Sequence, residues 1–233
     1  MKTIGLLGGM SWESTASYYQ LINEGIKEKL GGLHSAKIVM YSVDFAEIEA
    51  LQHQAKWDET ATILTHAAQG IEKAGADFML ICTNTMHRVA PQVESGISIP
   101  LLHIADATAE EISRQGMKKI GLLGTAFTME QDFYKGRLEQ QYGLEVMIPD
   151  EADRALVHQI IYDELCLGKI RDASRHEYLR IMDSLRHKGA EGIILGCTEI
   201  ALLVNSEHTE IPLFDTTRIH ALKALEACLR TRN

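Results

Sequence analysis

The chain repeats itself, and the repeat limits the folds open to it. The pentapeptide IGLLG stands at 4–8 and again at 120–124, an offset of 120 − 4 = 116. AGADFMLICTNTM at 74–86 is matched by KGAEGIILGCTEI at 188–200, an offset of 188 − 74 = 114. The dipeptide IP at 99–100 returns at 211–212, an offset of 211 − 99 = 112. IGLLG alone is an ordinary buried-strand sequence. Three matches in one order at nearly one offset require two halves built alike.

Short apolar runs recur throughout: TIGLLG (3–8), AKIVMYSV (36–43), DFMLIC (77–82), PLLHI (100–104), KIGLLG (119–124), LEVMIP (144–149), EGIILG (191–196) and IPLF (211–214). Helical patterns separate many of them. STASYYQLINEGIKEKL starts at Ser14, a candidate N-cap, while DETATILTHAAQGIEKAG, ADRALVHQIIYDELCLG and HEYLRIMDSLRHKG each end in glycine. Strands alternating with helices predict an α/β fold, each half a parallel sheet covered by helices on both faces. The expected division is a first half over 1–100, with the C-terminal helix 216–233 packed on it, and a second half over 101–215.

A net charge of −9 and a pI near 5.6 argue against nucleic acid, which needs a basic face to displace phosphate counterions. No stretch approaches the ~20 apolar residues of a membrane span. The start, MKTIGLLGGMSWEST, lacks a leader pattern, and the cysteines at 82, 166, 197 and 228 form no CxxC pair. These features predict a cytoplasmic protein with reduced thiols, working on a small molecule, as a monomer or a homodimer.

The 114-residue offset sets Cys82 against Gly196, Thr83 against Cys197, Asn84 against Thr198 and Thr85 against Glu199. The two cysteines are therefore out of register, and the counterpart of Cys197 is Thr83. Side chains alternate along a strand, so Cys82 and Thr83 should face different ways, Cys82 into the core. Cys166 and Cys228 sit on helical segments and are also expected in the core. Cys197 follows an apolar strand, where open α/β sheets bind ligands. Gly196 leaves room for a ligand or a backbone to approach. A helix beginning near Glu199 would aim its N–H groups at the thiol and favour the thiolate.

Together GLLGGMSWEST (5–15), CTNTMH (82–87), GLLGT (121–125), MEQDFY (129–134) and GCTE (196–199) are a specific signature. By it the chain resembles the PLP-independent aspartate/glutamate racemases, in particular a bacterial amino-acid racemase branch. The resemblance implies two pseudo-symmetric α/β domains with the active site in the cleft between them. It implies no cofactor and two catalytic cysteines, one in Cys-Asn-Thr and one in Gly-Cys-Thr-Glu. Aligning Asn84-Thr85 with the first motif puts Thr83 where its cysteine should stand, as the internal repeat also does. The catalytic pair becomes Thr83 and Cys197, with Cys197 facing the α-proton of L-glutamate or L-aspartate.

Substrate-binding candidates are Met10 and Ser11 after the first strand, Gln52, Asn84, Thr85, Thr125, Thr198 and Glu199. His87, Arg88 and Lys169 are candidate cations for a side-chain carboxylate. MEQDFYKGR reads as a helix start, with Asp132, Phe133 and Tyr134 docking it. Two other readings suit the same sequence: a decarboxylase or cis-trans isomerase of dicarboxylic acids, and a catalytically silent amino-acid-binding homologue.

Overall fold

The computed structural model describes residues 1–230. The chain divides into two compact units, Met1–Ile104 with the segment from His220 onward, and Ala105–Ile219. In chain order the elements are β1 (Ile4–Gly8), α1 (Trp12–Leu30), β2 (Ile38–Ser42), α2 (Phe45–His53), α3 (Trp57–Lys73), β3 (Phe78–Ile81), a 3₁₀ turn (Thr85–Val89) and α4 (Ala90–Ser95). Then follow α5 (Ile104–Arg114), β4 (Lys119–Gly124), α6 (Ala126–Glu130), α7 (Lys135–Tyr142), β5 (Glu145–Met147), α8 (Glu151–Asp163), a second 3₁₀ turn (Leu165–Leu167) and α9 (Asp172–His187). The chain closes with β6 (Gly192–Gly196), α10 (Ile200–Leu203), β7 (Leu213–Asp215) and α11 (Thr216–Leu229).

Both sheets are parallel. The first has the order β2-β1-β3 and the second β5-β4-β6-β7. The repeated IGLLG is thus the central strand of each unit's first βαβ pairing, and the second repeat supplies its neighbour, β3 or β6. The third repeat has a matching role too. The Pro100 carbonyl accepts from Met79 N–H at 2.9 Å, and the Pro212 carbonyl accepts from Ile193 N–H at 2.8 Å.

The match ends there, and one expected strand is lost. PLLHI forms only an isolated parallel bridge, Met79 to Leu101. Leu102 N–H still reaches Met79 O at 2.9 Å, but the next ladder acceptor, Leu102 O, is bound by His220 Nε2 at 2.8 Å. The helix α5 then begins at Ile104. In the second unit the ladder runs on, and β7 pairs with β6 from Ile193↔Leu213 to Leu195↔Asp215.

Alternation sorts the first unit's core into two faces. Leu7, Met79 and Ile81 pack with Ile48, Leu64, Ile71 and Val93. Ile4, Leu6, Phe78, Leu80 and Cys82 pack with Tyr18, Ile22 and Ile26 of α1 and Ala221, Ala224, Leu225 and Cys228 of α11. Cys82 is fully buried there, and burial pushes its thiol far above the ordinary range. Cys82→Ala is expected to cost about 1–2 kcal/mol, from lost apolar burial and a small cavity. Urea unfolding checks this as a lower midpoint at unchanged m-value. The second unit's core is built from Ile120, Leu122, Ile193, Ile194 and Phe214 of the sheet with Val157, Ile161, Tyr178, Ile181 and Leu185 of α8 and α9.

Helix ends correct one further expectation. Ser14 does not cap α1; Ser11 does, its hydroxyl accepting from Ser14 N–H at 3.3 Å. MEQDFYKGR spans the end of α6 and the start of α7, with Tyr134 fully buried.

Candidate active site

In the first unit β1 and β3 end side by side, with Leu7 level with Ile81 and Cys82 N–H bonded to Leu7 O at 2.9 Å. The turn after β1 is held by Thr15. Its Oγ1 accepts from Gly9 N–H at 2.8 Å and donates to Ser11 O at 3.0 Å. Gly9 has φ +92°, and a Cβ there would lie 2.2 Å from Val43 O, so only glycine fits. Ser11 is half-buried at the N-cap, whereas the Met10 side chain packs into the core beside Leu7 and Ile48. What Met10 can offer a ligand is its backbone. Gln52 lies on α2 and is buried.

The turn after β3 carries Thr83, half-buried, and Asn84 and Thr85, both buried. Three consecutive carbonyls here have fixed partners. Cys82 O accepts from Ser14 Oγ at 2.8 Å, Thr83 O from His87 Nδ1 at 2.8 Å, and Asn84 O from His87 N–H at 3.1 Å. His87 is thereby committed within the unit and is withdrawn as the cation for a substrate carboxylate. Arg88 lies over the Trp57 ring, 4.3 Å from its centroid, and Lys169 is exposed in the other unit.

In the second unit β4 and β6 end level, Gly124 beside Gly196. A Cβ at Gly196 would lie 2.9 Å from Leu123 O, so backbone approach is what requires glycine there. Thr125 caps α6, its Oγ1 accepting from Thr128 N–H at 3.4 Å. Cys197 and Thr198 are half-buried, and Glu199 is buried.

The Cys197 thiol donates to Glu199 Oε2 at 3.0 Å. Burial, then the Glu199 charge and the nearby Cys166, push the thiol well above its ordinary value. This reverses the expectation of a helix-stabilised thiolate. The following helix, α10, is a single turn of four residues starting at Ile200, too short to outweigh a carboxylate in contact. Cys166, expected in the core, is half-buried and close enough to act on Cys197. Sequence reasoning missed the carbonyl anchors Ser14 and His87. Among the described residues no group of three or more His, Cys, Asp or Glu is placed to hold a metal ion.

Each α/β unit gathers small polar residues at adjoining strand ends, the place where open α/β sheets bind small molecules. The chain belongs to the Asp/Glu/Hydantoin racemase family, which it matches over residues 7–224, and so to a class of isomerases. It is 25% identical to the broad specificity amino-acid racemase RacX of Bacillus subtilis (strain 168) over 223 residues, 92% of each chain. A crystal structure of a candidate Asp/Glu racemase from Yersinia pestis is 55% identical, with a TM-score of 0.94 over 99% of this chain and 100% of that one. An aspartate racemase homologue from Pyrococcus horikoshii OT3 is 35% identical, with a TM-score of 0.87 over the same shares. Among the described residues no helix is long and apolar enough to cross a membrane.

Proposed function

We propose that this chain is a cofactor-independent, cytoplasmic racemase of L-glutamate, L-aspartate or both. Cys197 takes the α-proton as a thiolate, and Thr83 stands where the second cysteine of such enzymes would be. Racemisation removes a proton from one face of the α-carbon and returns one to the other, so it needs two groups able to hold a proton. The observation that carries the reading is the unequal state of the two strand-end cysteines. Cys197 is half-buried with its proton directed at a carboxylate, while Cys82 is sealed in the core.

Each other candidate has a role in this scheme. Glu199 is the first acceptor for the proton that Cys197 must shed. The N–H groups of Met10 and Ser11, with Asn84, Thr85, Thr125 and Thr198, supply hydrogen bonds to the α-carboxylate and ammonium, and Gln52 contacts the side chain. Donors that are already fixed before substrate arrives lose little entropy on binding it.

The deciding experiment incubates the protein with L-glutamate and with L-aspartate in ²H₂O. Proton NMR follows the α-position and chiral chromatography follows the product. Deuterium at the α-carbon together with D-enantiomer is the expected result. A dicarboxylate decarboxylase or isomerase would exchange no amino-acid α-proton, and neither would a silent binding protein.

A further inference from the structure

Resting on that reading, we infer that His87 is the positioning residue for Thr83, acting through the neutral Nδ1–H form of its ring. The hydrogen bonds allow one tautomer. Ile104 N–H can only donate, and it meets His87 Nε2 at 3.3 Å, so Nε2 accepts. The Thr83 carbonyl can only accept, and it lies 2.8 Å from Nδ1, so Nδ1 carries the hydrogen. The backbone N–H of the same residue holds Asn84 O at 3.1 Å. One residue therefore fixes two successive peptide planes, those flanking Asn84. These planes set the backbone from which the Thr83 hydroxyl and the Asn84 amide project.

The ring has no room to swing away. It is 1% exposed, with the His103 ring centroid 4.5 Å away and that of His220 5.9 Å away. His220 is itself tied, Nδ1 to the Tyr18 hydroxyl at 2.8 Å and Nε2 to Leu102 O at 2.8 Å. Thr83 lies half-buried in the turn after β3, and the direction of its side chain depends on the carbonyl that His87 grips.

Two substitutions separate the two ring contacts. An asparagine amide nitrogen falls near the position of Nδ1, so His87→Asn keeps the bond to Thr83 and loses the one to Ile104. A glutamine side chain reaches the position of Nε2, so His87→Gln keeps Ile104 and loses Thr83. The readout is a ratio measured from L-glutamate in ²H₂O: deuterium found in recovered L-substrate against D-product formed. Cys197 alone supports exchange without inversion, whereas inversion also needs Thr83. The ratio should stay near the wild-type value in His87→Asn and rise about tenfold in His87→Gln.

A merely structural role predicts otherwise. Both variants would then lower exchange and inversion together, in step with their melting temperatures, and that pattern overturns the inference. So does an unchanged ratio in both, or a rise in the asparagine variant. Should neither variant fold, the ¹⁵N ring spectrum of the wild-type protein decides. A neutral Nδ1–H ring supports the assignment, and an Nε2–H or doubly protonated ring at His87 overturns it. Failure of the racemase reading looks different: wild type would exchange no α-proton at all, while the ring spectrum would still report on the anchor.

Discussion

Cys197→Ser is expected to lower racemisation by about a thousandfold or more while leaving the fold intact, because a serine hydroxyl stays protonated where a thiol can ionise. Cys82→Ala, by contrast, should lose stability but keep most of its activity. Equal loss in both folded variants would overturn the assignment of Cys197. The reason to expect so large a difference is local. Cys197 is the strand-end thiol with a proton acceptor in contact, at 3.0 Å, whereas the Cys82 thiol has only core around it.

The raised thiol of Cys197 adds a dependence on pH and on Glu199. A thiol whose value lies above the ordinary range is mostly protonated at neutral pH. Its thiolate fraction, and its alkylation by iodoacetamide, should climb ~tenfold per pH unit until the thiol titrates. Burial is the largest cause of the rise and the Glu199 charge the next. Glu199→Gln removes the second cause and not the first, so the alkylation profile should move to lower pH yet remain above that of a free thiol. Racemisation should move the other way and slow, since an amide cannot take the thiol proton. Faster alkylation with slower turnover is the signature of Glu199 as proton acceptor. If both rates rise in the variant, the carboxylate merely suppresses the thiol, and the proposed proton path is wrong.

What the sequence makes legible here is whatever depends on period and repetition. Both copies of IGLLG form inner strands of their sheets, and even the IP dipeptides return as Pro100 and Pro212 carbonyls bonded to β3 and β6. Strand alternation also sends Ile81 and Cys82 to opposite faces, and places Cys82 against α1 and α11. What stays hidden is decided by partners distant in the chain or by a single contact. PLLHI has the composition of a strand, yet its ladder stops because His220 captures Leu102 O across 118 residues. Ser14 looks like a cap and is in fact a donor to Cys82 O, 68 residues away. His87 and Thr83 are four residues apart, but only the 3₁₀ turn between Thr85 and Val89 folds the ring back onto that carbonyl. At Cys197 the expected sign reversed because burial, and then a carboxylate two residues on, outweigh one helical turn.

Thr83→Cys should raise turnover of the D-enantiomer about tenfold or more, and that of the L-enantiomer by less. In the proposed scheme the L-substrate gives its α-proton to the Cys197 thiolate, and the D-substrate must give its proton to the Thr83 hydroxyl. That hydroxyl is a poor base at neutral pH, although it can donate a proton directly or through water. Racemisation of an isolated amino acid has an equilibrium constant of one, so the asymmetry cannot appear in kcat/KM, which must be equal in the two directions. It must appear as a low kcat for D matched by a proportionally low KM, so that D-glutamate binds well, reacts slowly and inhibits the L reaction. A second thiol at 83 relieves this by giving the D-side proton an acceptor that needs only a modest shift to ionise. Initial rates from both enantiomers, in wild type and variant at one pH, are the measurement. Should the wild type turn over D-glutamate or D-aspartate as fast as the L-forms, Thr83 is no weak second base. The missing thiol would then have to be Cys82, reached by an opening of the core that now buries it.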